Sequence, residues 1–127
     1  MKNLSRYKDF LNEDIDLGDL TKNREFLNYV EKKWGKDYTN IECQDDLNQG
    51  YCILVTDYIK DKYKDSEIFT IGHPTSYHVF AKIEDKYYDG VNTKGVKRIE
   101  DLDWVEKRSK INPNVMKTLQ KGIPYTN

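Results

Sequence analysis

The sequence predicts an α+β domain in which N-terminal helices and a buried central helix pack on a small antiparallel sheet. Up to about residue 63 the apolar residues recur at helical spacing, and from residue 67 the pattern changes to short β-rich runs separated by turns. Helices followed by strands in this order are typical of the α+β class. A length of 127 residues fits one domain and suffices for a core without a metal or a disulfide. We therefore expect residues 1–127 to form a single domain.

Two helices are predicted ahead of the central one. The first is short, and its apolar residues are Leu4, Tyr7, Phe10 and Leu11. The second is expected to be capped by Asp19 or Thr21 and to end at Gly35, because short polar side chains cap helix starts and glycine follows helix ends. Its apolar face consists of Leu20, Phe26, Leu27, Val30 and Trp34. Residues 36–47 are predicted to be a polar loop.

The third predicted helix begins near Asn48 or Gly50 and runs to about Tyr63. Its first turn is apolar on every side, whereas its later turns carry charged residues on one face. A helix that is apolar all round at one end is buried at that end. We therefore expect this helix to lie at the centre of the domain.

The second half of the chain is predicted to form the sheet and a helical tail. The predicted strands are 67–71, 77–83 and 87–91, with a further short strand at 96–99. A helix is predicted to begin near Asp101 and to break before Pro113, since proline cannot continue a helix. A last helical turn is expected from Val115 to Leu119.

Composition argues against several functional classes. Lys and Arg (21) almost balance Asp and Glu (22), so the chain lacks the basic footprint of a nucleic-acid-binding protein. No apolar run approaches the ~20 residues of a membrane span. The first residues also lack the apolar region of a signal peptide. We therefore expect a cytoplasmic protein with neither nucleic acid nor a membrane as its partner.

Neither a metal nor another cofactor is expected. Cys43 and Cys52 do not make a disulfide framework, and in a reducing compartment both should be free thiols. Together with His73 and His78 they could supply four zinc ligands, but their spacings do not match the short Cys-x2-4-Cys clips of structural zinc sites. The sequence also lacks a glycine-rich phosphate-binding loop.

The residues that carry chemistry are Cys52, His78 and Asp89. Cys52 falls in the first turn of the predicted buried helix, where free backbone N–H groups and the helix dipole favour an anion such as a thiolate. His78 begins a predicted strand and Asp89 ends the next one. A nucleophile at a helix start, with its base and the orienting group of that base on an adjacent sheet, is typical of Cys-His-Asp hydrolases.

These motifs resemble the papain-like cysteine hydrolases, in particular small members from bacteria and phages. The matching segments are Gly50-x-Cys52 at the start of an apolar helix, His78-Val79-Phe80-Ala81-Lys82, and Lys86-Tyr87-Tyr88-Asp89-Gly90. The resemblance covers roughly residues 48–91, and the separation between the histidine and the aspartate is similar to that of the family. It implies a helix packed on an antiparallel sheet and a thiol that attacks an amide or related acyl bond.

The resemblance also implies a role for each residue of the motifs. It makes Cys52 the nucleophile, His78 the base and Asp89 the group that orients the base. Asn48 and Gln49 are candidate side-chain donors to the oxyanion, although papain-type enzymes use a glutamine further upstream of the cysteine. The substrate would be a protein or a peptide, and the reaction could be that of a protease, an amidase, a deamidase or an acyltransferase, since these share one triad.

The identity of the orienting group depends on the hairpin turn. If Asp85-Lys86 forms a two-residue turn, Asp89 shares a face with His78 but lies about 13 Å along the strand from it, at ~3.3 Å per residue. A bulge or a different turn would have to close that gap. Otherwise Asn92 is the better orienting residue.

A second function remains open at the level of sequence. The same fold with an inactive triad could act as an inhibitor, for example a phage-encoded one, that binds a host or partner protein. Tyrosine is enriched at protein interfaces, and the chain has ten. Tyr77, Tyr87 and Tyr88 are the residues expected near such a binding surface.

Overall fold

The computed structural model describes residues 15–123 and has the predicted α+β architecture. Its helices and strands are α1 (Arg24–Trp34), α2 (Cys52–Lys62), α3 (Asp103–Ile111), β1 (Glu67–Ile71), β2 (His78–Ile83), β3 (Lys86–Tyr88) and β4 (Gln120–Lys121). The predicted first helix lies outside the described residues. Within residues 15–123, no helix combines the length and the apolar character that a membrane crossing requires.

The four strands form one antiparallel sheet in the order β3-β2-β1-β4. β1 and β2 pair along their whole length, which places Ile71 opposite His78 at one end of the sheet. β2 and β3 are joined by a turn at Glu84-Asp85, with Ile83 opposite Lys86. Glu84 has a φ of 57°, the left-handed conformation that such a tight turn requires. The turn therefore lies one residue earlier than Asp85-Lys86.

The core has two parts, one on each face of the sheet. On the first face, α1 and α2 pack on alternate residues of β2, and the central members of this cluster are Phe26, Val30, Val55, Ile59, Ala81 and Ile83. On the other face, α3 and the short helices beside it cover Ile71 and Phe80. α2 is the central helix as predicted, because six of its eleven residues are buried.

Several local predictions are corrected by the structure. Asn23, not Asp19 or Thr21, caps α1, because its side chain accepts a hydrogen bond from the backbone of Phe26. Asp19 instead caps a separate 3-10 helix at Leu20–Lys22. The predicted end of α1 at Gly35 is confirmed.

Other segments also differ from the prediction because of tertiary contacts. The expected polar loop at 36–47 forms two 3-10 helices, Lys36–Thr39 and Gln44–Asn48. The expected strand at 96–99 is reduced to a single bridge between Val96 and Tyr87. The strand predicted to reach residue 91 ends at Tyr88. β4 was not predicted, because it is only two residues long; it pairs with β1.

A close contact joins the loops that flank the candidate site. Leu47 is fully buried in the loop before α2, and it packs against Gly90, which follows β3. A Cβ atom at position 90 would lie 2.3 Å from the Cβ atom of Leu47, closer than real Cβ contacts allow. Glycine at position 90 therefore lets these loops approach each other, next to Asp89 on one side and ahead of Cys52 on the other.

Candidate active site

Cys52 is the first residue of α2, which begins later than the predicted start near Asn48 or Gly50, because Asn48 ends a 3-10 helix and Gly50 has a φ of 121°. The residue that precedes the helix, Tyr51, provides no side-chain cap. The hydrogen bond from Val55 to the carbonyl of Tyr51 closes the first turn, so the N–H groups of the first turn have no acceptor within the helix. Cys52 thus lies where unpaired N–H groups and the helix dipole favour a negative charge.

His78 and Asp89 form a buried hydrogen-bonded pair. Nε2 of His78 lies 2.9 Å from Oδ2 of Asp89, and the side chains are 0% and 1% exposed. The other oxygen, Oδ1, accepts hydrogen bonds from the backbone N–H groups of Val91 (3.0 Å) and Asn92 (2.6 Å). The carboxylate is therefore held in place from both sides, and it fixes the orientation of the imidazole.

The partner of His78 is thus Asp89 and not the alternative, Asn92. Oδ1 of Asn92 accepts a hydrogen bond from the backbone N–H of Asp103 at 3.0 Å, so this side chain caps the start of α3. The expected gap of about 13 Å does not arise, because the turn lies one residue earlier and the chain leaves the ladder after Tyr88. Extending the observed register puts Asp89 diagonal to His78, a spacing that a long side chain can bridge.

The second nitrogen of His78 is the one left for Cys52. Nδ1 is buried and makes no hydrogen bond within residues 15–123. Burial lowers the pKa of His78, but the hydrogen bond to Asp89 and the interaction with the side chain of Cys52 outweigh it, so that the pKa is raised overall. The side chain of Cys52 therefore acts on the imidazole electrostatically, although Nδ1 makes no hydrogen bond to it. Such loose contacts are common in active sites without substrate.

Two aromatic rings enclose His78. Trp104 stacks on the imidazole with 5.2 Å between ring centroids and 16° between planes, and Phe80 stacks at 6.2 Å and 23°. Trp104 was missed by sequence reasoning, because it lies on α3, outside the motifs, and only the tertiary fold brings it to the site. These rings leave His78 without exposed surface, while Cys52 keeps 8%.

A cleft of about 480 Å³ lies near the triad: Trp104, which stacks on His78, lines it, but Cys52, His78 and Asp89 do not. Both predicted oxyanion donors, Asn48 and Gln49, line it, together with Gly50 and Trp104. Asn48 is 8% exposed, and its Oδ1 has no hydrogen-bond partner among the described residues. An amide that is buried at the edge of a cleft and incompletely paired is suited to contact a bound ligand. Because Oδ1 can only accept a hydrogen bond, its lack of a partner does not favour Asn48 over the exposed Gln49 as a donor to the oxyanion.

The remaining candidate ligands are dispersed. Cys43 is an exposed free thiol, and His73 lies in an exposed turn with its ring against Tyr77. Among residues 15–123, no group of three or more histidine, cysteine or acidic side chains could hold a metal ion.

Comparison of the chain with protein-family models, with curated proteins and with solved structures finds no match. The resemblance to papain-like hydrolases thus stays a prediction based on three short motifs. The function must be inferred from the arrangement of Cys52, His78 and Asp89 and from the cleft beside them.

The raised pKa of His78 predicts that part of the stability depends on pH. A group whose pKa is higher in the folded state than its unfolded value of about 6.5 stabilises the fold fully below that value and loses its contribution as the pH rises through the folded pKa. We therefore expect His78→Gln to lower the free energy of unfolding more at about pH 5.5 than at about pH 9. Each tenfold difference in proton affinity contributes about 1.4 kcal/mol.

Urea unfolding of both proteins at the two pH values measures this difference. Titrating groups outside the triad are common to both proteins, so their effects cancel in the comparison. An equal loss at both pH values would contradict a raised pKa of His78.

Proposed function

We propose that this protein is a cysteine hydrolase of the papain-like type that cleaves an amide-type bond in a protein or peptide. One observation carries the proposal: Asp89 orients one nitrogen of His78, and the other nitrogen is buried without a hydrogen-bond partner among the described residues. Nε2 is hydrogen-bonded to the carboxylate, while Nδ1 has no hydrogen-bond partner in residues 15–123 and the thiol interacts with the ring. A base with one nitrogen oriented and the other free toward a nucleophile is the arrangement that thiol hydrolysis requires.

The proposed reaction proceeds through an acyl-enzyme. Nδ1 of His78 takes the thiol proton, and Sγ of Cys52 attacks the acyl carbon to form a C–S bond and a tetrahedral oxyanion. The backbone N–H of Cys52 and the side-chain amide of Asn48 are the donors available to that oxyanion. As the C–N bond breaks, the amine leaves with the proton from His78. Water then attacks the thioester with His78 as base, which releases a carboxylic acid and restores the thiol.

Alkylation with iodoacetamide tests the proposal at about pH 6.5. Cys43 is exposed and Cys52 is nearly buried, so accessibility alone predicts faster labelling of Cys43. Because only the thiolate reacts, an activated Cys52 should instead be labelled more than about tenfold faster. Mass spectrometry of peptides from the native protein measures both rates.

The two histidines supply a matched pair of variants for the same measurement. His78→Gln should abolish the preference for Cys52, whereas His73→Gln should leave it nearly intact, since His73 lies in an exposed turn. Circular dichroism verifies that both variants are folded. If labelling of Cys52 is slow in the native protein, or if His73→Gln is the damaging change, the assignment of the thiol and base is wrong.

A second candidate function is an inactive papain-like fold that binds a partner protein. The observation that favours it is the burial of His78 at 0% exposure beneath Trp104, since a base must be reachable by the leaving group. Of the tyrosines expected at a binding surface, Tyr77 lines the cleft. Tyr88 is fully buried, and Tyr87 packs on Phe69 and Phe80. Tyr88 therefore belongs to the core, whereas Tyr87 is only half-buried and stays a candidate for the binding surface.

A further inference from the structure

The cleft beside the triad contains an arginine that the proposed reaction does not use. Arg108 lies on α3 and lines the cleft with Ser76 and Trp104. Its guanidinium carbon is 4.9 Å from the centroid of the Trp104 ring, and Nη2 donates a hydrogen bond to Oγ of Ser76 at 3.0 Å. The side chain is therefore held in one orientation before any ligand binds.

The same tryptophan connects Arg108 with the triad. The Trp104 ring stacks on His78 at 5.2 Å and carries the guanidinium at 4.9 Å. The guanidinium of Arg108 is therefore no farther from the His78 ring than these two distances combined. It lies on the side of Trp104 that lines the cleft. This separation suits a group that binds one part of a substrate while the thiol attacks another.

Two basic residues line the cleft, Lys107 and Arg108, and among residues 15–123 only Lys107 is paired with a carboxylate. Lys107 forms an ion pair with Asp103 at 3.0 Å. Asp103, and to a smaller extent Asp45, raise the pKa of Lys107. Arg108 has no carboxylate partner within residues 15–123: its contacts there are Ser76 and Trp104. A guanidinium has five N–H donors, of which Ser76 uses one. The others can bind both oxygens of a carboxylate in a planar fork, which lysine cannot do.

We propose that Arg108 is a specificity-determining residue that binds a carboxylate of the substrate in this cleft. The inference rests on the proposed hydrolase function, because it places the carboxylate next to the acyl group that Cys52 attacks. The carboxylate is either the side chain of an acidic residue or the C-terminal carboxylate of a peptide. Both present the same planar anion to the guanidinium.

Small electrophiles of matched shape test the specificity. N-chloroacetyl-glutamate α-amide carries a side-chain carboxylate, N-chloroacetyl-glutamine carries a terminal carboxylate, and N-chloroacetyl-glutamine α-amide carries neither. We expect one of the two acidic probes to alkylate Cys52 about tenfold faster than the neutral probe, as one charge-assisted interaction at a partly exposed site predicts. The faster acidic probe identifies the source of the carboxylate.

Two substitutions on adjacent residues separate a specific site from general charge attraction. Arg108→Gln should remove the preference for the acidic probe, so that the acidic and neutral probes alkylate Cys52 at equal rates. Lys107→Gln should retain the preference, because its charge is already paired. Equal rates with acidic and neutral probes in the native protein, or a preference that survives Arg108→Gln, would overturn the proposal.

An equilibrium measurement distinguishes failure of this inference from failure of the proposed function. In Cys52→Ala, titration with N-acetyl-glutamate α-amide, N-acetyl-glutamine or the neutral N-acetyl-glutamine α-amide can be followed at the indole N–H of Trp104 by NMR. Trp34→Phe assigns the signal, since the chain has two tryptophans. A saturating shift with an acidic ligand alone, lost in Arg108→Gln, supports the carboxylate site even if the thiol proves unreactive. The absence of such a shift refutes the site even if the thiol is reactive.

Discussion

Cys52→Ala should abolish acyl transfer while leaving the protein folded. With p-nitrophenyl acetate, the native site should release a burst of about one equivalent of p-nitrophenolate as the thiol is acylated. Removal of a nucleophile typically lowers rates by several orders of magnitude, and we expect a loss of at least about 10³-fold. The substitution deletes one sulfur atom, so the unfolding free energy should fall by less than about 1.5 kcal/mol.

The exposed thiol of Cys43 would obscure this measurement, so both proteins carry Cys43→Ser. Circular dichroism and urea unfolding establish that the alanine variant is folded before rates are compared. If the native protein shows no burst, or if a folded Cys52→Ala protein transfers acetyl groups equally fast, Cys52 is not the nucleophile. A biological effect that survives Cys52→Ala would favour the binding function, and Tyr77 in the cleft would be the first residue to test.

The parts of the fold that the sequence predicted well are those with a strong local pattern. The all-apolar first turn of α2 indicated a buried helix with a start near Asn48 or Gly50, and the structure begins it at Cys52, two to four residues later. The β-rich run around His78 likewise predicted β2, which begins at that histidine. Both residues are positioned by the ends of regular elements. Their approximate places could therefore be predicted from hydrophobic periodicity alone.

The remaining parts depend on contacts between distant segments. Whether Asp89 reaches His78 depends on one residue of register at the hairpin turn, which local sequence did not determine. Trp104 and Arg108 reach the site only because α3 packs on the sheet face that contains Phe80. β4 consists of two residues paired with β1, too short to carry a pattern. Sequence thus indicated the three chemical groups but not the rings and cleft around them.

Asp89→Asn is expected to lower the reactivity of Cys52 strongly with little change in the fold. The asparagine Oδ1 can still accept the hydrogen bonds from Val91 and Asn92 that hold the loop. Its Nδ2, however, would donate to Nε2 of His78, which must then be unprotonated. The imidazole proton is thereby moved to Nδ1, the nitrogen that has to accept the proton of Cys52. Loss of the correct tautomer typically lowers rates by ~10²–10⁴-fold.

Asn92→Ala is the matched control, since Asn92 was the alternative orienting residue and its side chain contacts only the start of α3. It should cost about 1 kcal/mol of stability, as the loss of a helix cap does, and leave the rate of Cys52 nearly unchanged. Acylation rates with p-nitrophenyl acetate, measured in the Cys43→Ser background, compare the two variants directly. A large loss in Asn92→Ala together with a normal rate in Asp89→Asn would show that Asp89 only supports the loop. We expect the opposite result. It would mean that the hydrogen bond between Nε2 of His78 and Oδ2 of Asp89 determines which nitrogen of His78 faces the thiol.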